Sequence, residues 1–186
     1  MSEYVYLVAS LPTLTLGGPV PCTPKEFLFR CQGVLSQEDL AEVAAVLEGR
    51  AGEGSSAAAR EWAAVEAQVR NAAAKARGAK LGVEAKPFLK AHQGYRVWLD
   101  KEVSDALSKP NPLQCEMGLD AVRWKAADDL AGQDPRGLGA VVAFAAKLTL
   151  CNRWAEMSEA AGRERLDALV EELEKNASES GAVSFK

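Results

Sequence analysis

LGAVVAFAAKLTLCNRWAEM, residues 138–157, decides the fold class of this chain. At 3.6 residues per turn, Leu138, Val141, Val142, Phe144, Leu148, Leu150 and Trp154 cover most of the circumference. The segment therefore predicts a helix buried on nearly every side, the central core helix. Asp134-Pro135 reads as a cap followed by a first helical position, so the helix is expected to open there and run through about Met157. A helix this apolar needs neighbours around it.

Upstream, Asn111-Pro112 repeats the same device and opens a helix reaching about Ala131. Tyr95 to about Ser108 is helical in pattern, with Val97, Trp98, Val103, Ala106 and Leu107 as its apolar members. Ala57 to about Lys80 is crowded with Ala, Arg, Glu and Lys, strong helix formers. Its stripe of Trp62, Val65 and Val69, continued by Ala72, Ala73 and Ala76, is narrow and permits close approach of a neighbour. That helix would be roughly 35 Å long, against a radius of gyration of about 16 Å for a compact chain of this length, so an elongated molecule is expected. GRAGEGSS, residues 49–56, reads as a flexible joint. Gly82 to Gly94 is irregular and broken by Pro87.

Nearer the N-terminus, Thr23-Pro24-Lys25-Glu26 carries a capping box and opens a helix that stops at Gly33. Ser36-Gln37-Glu38-Asp39 opens another, with Leu40, Val43, Ala44 and Leu47 on one stripe and Gly49 at its C-terminal cap. PTLTLGGPVPCTP, residues 12–24, is an extended connector. YVYLVASL, residues 4–11, suits either a short strand or two helical turns stopped by Pro12, and periodicity does not choose between them. Downstream, Ser158 caps a helix over 159–175 with the stripe Leu166, Leu169, Val170 and Leu173. The tail from Asn176 is expected to fray, although Ala182-Val183-Ser184-Phe185 suits strand pairing with the N-terminal segment. The expectation is all-α or nearly so: an elongated bundle of about seven helices with at most a short N-terminal strand. Its parts are residues 1–50 (connector and two short helices), 51–82 (the Ala-rich helix) and 83–186 (the helical core), forming one structural unit.

Composition excludes several classes. Hydrophobic residues at 48% and charged residues at 26% are globular values. No apolar run approaches the roughly 20 residues that span a bilayer, and from the acidic start Met1-Ser2-Glu3 neither a signal nor a transit peptide is expected. Cys22, Cys31, Cys115 and Cys151 form no CxxC pair and are expected as reduced thiols, buried ones standing in for small apolar side chains. A net charge of −4 argues against general nucleic-acid binding.

The single histidine, His92, has no catalytic partner nearby in sequence, and with no CxxC it excludes an ordinary zinc site. Neither a P-loop nor a GxGxxG fingerprint is present, so no cofactor is expected. Asp120, Asp128 and Asp129 share a helix with Arg123 and Lys125; Asp120 with Arg123 and Lys125 with Asp128 are i,i+3 neighbours. A salt-bridged helix face is the plain reading. A charged interface is the functional one, and acid/base catalysis by Asp128 or Asp129 with His92 is the enzymatic one. Lys147 and Arg153-Trp154 have the chemistry of binding hot spots, or of a core Trp under a snorkelling Arg. Six basic residues between Arg70 and Lys90 face only Glu84, whereas the chain after Glu156 is acidic, a polarity that would orient docking.

Two stretches carry a family resemblance. Tyr4-Val5-Tyr6-Leu7-Val8-Ala9-Ser10-Leu11-Pro12-Thr13-Leu14 resembles the YYYLVASLP opening of a small bacterial family, and Phe27-Leu28 and Leu35-Ser36-Gln37-Glu38-Asp39 fit its continuation. Lys147-Leu148, Arg153-Trp154 and Gly162-Arg163-Glu164 are similar to its second signature, a run like LKLxIxxRW followed by a Gly-containing helix. Members are typically encoded among subunits of bacterial V/A-type ATPases and resemble a reduced form of the d-type subunit, the socket between rotor shaft and membrane ring. The resemblance implies an all-α, non-catalytic subunit or assembly factor with no cofactor. It implies partners in the central stalk and membrane ring, and a cytoplasmic site peripheral to the inner membrane through the complex. A full d-type socket has three similar helical domains, so this shorter chain departs from it. The family supplies no functional residues; the candidate interface here is Tyr4, Tyr6, Arg123, Asp128, Lys147, Arg153 and Trp154. The alternative is a free-standing helical adaptor or regulator.

Overall fold

Pro12 ends the first element of the chain. Residues Val5–Ser10 form helix α1, and Leu11 turns extended (ψ 137°) because the proline ring disfavours a helical residue before it. Six residues cannot hold a helix alone in water. Leu7 and Tyr4 are buried, the Tyr4 amide donates to the Arg136 carbonyl at 2.6 Å, and its hydroxyl donates to Asp39. Docking, not periodicity, settles residues 4–11 as helix rather than strand.

This computed structural model describes residues 4–181, with side chains through residue 177; the strand suggested for 182–185 lies outside them. Among the described residues there are eight α-helices and no strand. Helix α2, Pro24–Cys31, begins on the expected capping box: Thr23 Oγ1 accepts from the Glu26 amide at 3.2 Å, and the Glu26 carboxylate accepts from the Thr23 amide at 2.8 Å. Helix α3, Gln37–Leu47, is capped by Ser36. Helix α4, Ala57–Leu81, starts on Ser56 and stops at Gly82, whose φ of 66° gives the left-handed turn that closes a helix C-terminus.

Residues 49–56 differ from the flexible joint expected. Ala51–Glu53 is a 3-10 turn with Ala51 buried. The two amides that follow are tied to buried Glu42, whose Oε1 accepts from Ser55 N at 2.6 Å and Ser56 N at 2.7 Å. This junction is a fixed corner.

Helix α5, Val97–Leu107, α6, Pro112–Gln133, and α7, Leu138–Glu156, follow. Asn111 caps α6 as expected, accepting from Leu113 N at 2.8 Å. Helix α7 begins later than Asp134-Pro135 suggested. The Asp134 carboxylate accepts from Gly139 N at 3.0 Å and its carbonyl from Ala140 N at 3.2 Å, so residues 135–137 wrap around it as a turn. Helix α8, Glu159–Gly181, is capped by Ser158 and runs past the expected end, since no Gly or Pro interrupts it just after residue 175.

The chain divides into two units, Met1–Asn152 and Arg153–Lys186, a division that falls inside the segment expected as the helical core. In the first, Val141, Val142, Ala145 and Leu148 of α7 are fully buried, each large side chain contributing about 1.5–3 kcal/mol. Phe144 meets Phe27 of α2, ring centroids 4.8 Å apart. Helices α4, α5 and α6 pack on one another. At Gly118 of α6 a β-carbon would sit 2.8 Å from that of Ala106 on α5, so the glycine permits the approach. In the second unit, Leu166, Leu169, Val170 and Leu173 line one face of α8 at helical spacing.

Candidate functional site

Of the charged residues singled out on α6, Asp120 and Arg123 face inward, whereas Lys125, Asp128 and Asp129 are exposed as a salt-bridged surface would have them. Asp120 is fully buried. Arg123 Nη1 lies 3.0 Å from it, and Arg123 Nε reaches Glu66 of α4 at 2.9 Å. Arg123, offered as an interface residue, is thus mostly buried and bridges α4 to α6. A buried charge of this kind is stable only with its partner in place.

Two of the four tryptophans, Trp98 and Trp124, are held by the same device. Trp98 and Glu102 stand one turn apart on α5, and Lys125 of α6 pairs with the carboxylate while its Nζ lies 4.3 Å from the Trp98 ring centroid. Trp124 and Asp128 stand one turn apart on α6, and Lys147 of α7 pairs with Asp128 while lying 4.9 Å from the Trp124 ring. Each lysine joins a cation–π contact to an ion pair across two helices. The candidates Asp128 and Lys147 are therefore partners of each other, and the i,i+3 pairing expected between Lys125 and Asp128 gives way to these interhelical pairs.

Of the remaining candidates, Tyr4 is buried against α3, whereas Tyr6 is 92% exposed. Arg153 stacks on Trp154 in the second unit, 5.6 Å from the ring centroid. No hydrogen bond or ion pair among the described residues joins His92 to Asp128 or Asp129. Those residues also contain no group of three or more His, Cys, Asp and Glu side chains arranged to hold a metal ion. Cys22, Cys31 and Cys151 are buried thiols; burial pushes Cys31 up to about 11 and raises the other two, which favours the neutral thiol.

Three buried polar residues escaped the sequence reading. Glu42 is the corner acceptor described above. Gln68 of α4 accepts from the Arg96 amide at 3.0 Å and donates to its carbonyl at 2.7 Å and to Asp100 at 2.9 Å. Asn71 does the same for Lys90, accepting from its amide at 2.8 Å and donating to its carbonyl at 2.7 Å. The two amides clamp residues 90–96 along α4 as an extended strap, satisfying backbone groups that no regular structure pairs. Their signal was present: Gln68 lies on the Val65–Val69–Ala72 stripe, and Asn71 one turn along from it, where a core-facing helix carries apolar residues.

Compared with protein-family models, curated proteins and solved structures, the chain matches none.

Proposed function

We propose that the chain is a non-catalytic subunit or assembly factor of a bacterial V/A-type ATPase, a reduced counterpart of the d-type socket, working between the rotor shaft and the membrane ring. One observation supports the reading. Tyr4, Leu7, Phe27, Leu35 and Leu148, drawn from separate resemblance-bearing stretches, are buried in one hydrophobic core of the first unit. Tyr4 bonds Asp39; Phe27 packs on Phe144, one turn before Lys147-Leu148; and Cys151 Sγ–H meets the carbonyl of Thr15, next to Leu14, at 3.6 Å. The fold thus uses these stretches together, as the reading expects of a shared family core.

The all-α architecture is also what such a role requires, because a coupling protein transmits position and load and needs no reacting group. The interhelical brackets at Lys125 and Lys147 and the buried Arg123 bridge suit that task. Each fixes one helix against the next by direction as well as by contact. Tagged chain purified from its own host tests the proposal. Co-purification of the ATPase A, B and D subunits is expected, and recovery of a different protein with none of them would favour the free-standing adaptor.

A further inference from the structure

Residues 75–90 combine three features rarely found together on a folded surface. The stretch KARGAKLGVEAKPFLK carries five basic residues and one acidic residue in a chain of net charge −4. Lys75, Arg77, Lys86 and Lys90 are exposed or half-exposed and form no ion pair among the described residues. Large apolar side chains stand among them: Leu81 is 75% exposed, Val83 54% and Phe88 68%. The backbone that presents them is nonetheless fixed. Val83 N donates back to Gly78 O at 2.9 Å, Phe88 N to Ala85 O at 2.9 Å, and the buried Asn71 amide holds Lys90 by both backbone groups. Backbone hydrogen bonds, two of them to the buried Asn71 amide, here hold apolar side chains out in water.

We propose that this segment is a docking patch for an anionic lipid surface. Leu81, Val83 and Phe88 enter the interface, and Lys86 and Lys90 meet headgroup phosphates while Lys75 and Arg77 strengthen the local positive potential. The apolar side chains project, which suits a soft surface they can sink into; a partner helix would call for a groove to receive it. Two of the three are aliphatic, which suits acyl chains and offers nothing for nucleic-acid bases to stack on. Lysine stems extend along apolar surface while their ammonium groups reach phosphate. Charge and apolar insertion acting together are what reversible peripheral binding requires. No helix of the described residues is long and apolar enough to cross a membrane, so the contact is superficial. It needs no ATPase partner, and its failure would leave the proposed ATPase role untouched.

The test is co-sedimentation of the full chain with vesicles of phosphatidylcholine alone or mixed equally with phosphatidylglycerol, beside a single-stranded oligonucleotide binding assay. Two variants, Lys86→Glu with Lys90→Glu and Leu81→Ser with Phe88→Ser, alter only exposed side chains, and circular dichroism checks their fold. Binding to the anionic vesicles alone is expected, falling at least about tenfold in each variant and in about 0.5 M salt. Four results would each overturn the proposal: no binding to anionic vesicles, equal binding to both vesicle types, binding that neither variant weakens, or oligonucleotide binding that anionic vesicles do not displace.

Discussion

Glu42 and the two amides of α4 are where single residues decide the most. One Glu42 oxygen takes hydrogen bonds from Ser55 and Ser56, and the other is buried without a partner among the described residues. Burial alone would raise its pKa, but the bonds from Ser56 and Ser55 outweigh it and hold the group below its ordinary value of 4.5. A depressed folded-state pKa means the carboxylate stabilises the fold above the ordinary value, and that this contribution fades as the pH falls through the folded one. Glu42→Gln should therefore cost about 1–3 kcal/mol at neutral pH. The gap to wild type in urea melts should narrow below pH 4.5; a gap that stays constant down to about pH 3 would mean the charge is not the acceptor. Asn71→Ala should leave the Lys90 amide and carbonyl unsatisfied. Hydrogen exchange at residue 90 should then speed up at least about tenfold, while the centre of α7 stays protected.

At the scale of elements, the caps were the legible part. Thr23, Ser36, Asn111 and Ser158 each cap the helix expected after them, because a capping side chain acts within three residues of itself. Open questions and mismatches both fall where a distant contact decides. Helix α1 depends on Tyr4 reaching Asp39, thirty-five positions away. The 49–56 corner depends on Glu42, and glycines and serines that look mobile in sequence say nothing of a carboxylate thirteen residues earlier. The start of α7 moved because Asp134 caps from farther back than an adjacent proline suggests. Gly118 belongs to the same class, since its role is visible only once Ala106 faces it. Gly118→Ala should lower stability by about 1–3 kcal/mol, overpacking exceeding the gain in helix propensity. An unchanged or raised melting temperature would show that α5 and α6 can separate without loss.

For the whole molecule, the fold class was legible in the residues, but only the outline of a site. Helical periodicity and the all-round apolar α7 make an all-α chain, and the structure bears that out. The candidate interface was less readable, because a charged residue on a helix looks the same in sequence whether it meets solvent or a neighbouring helix. Arg123 turned inward to Asp120 and Glu66, Lys147 and Asp128 took each other, and of the tyrosines offered only Tyr6 stayed outward. Exposed apolar side chains gather at residues 81–90, among basic residues that the charge pattern already marks, in a stretch whose irregular pattern hid only the apolar ones. What joins these levels is the proposal that a helical core to which several resemblance-bearing residues contribute serves an ATPase without chemistry of its own. Purification of the ATPase from the native host through its A subunit, followed by quantitative mass spectrometry, tests that most directly. The account predicts this chain in the purified complex and a poorly assembled ATPase when its gene is deleted. An intact, fully assembled ATPase that lacks the chain and is unchanged by its deletion would contradict it.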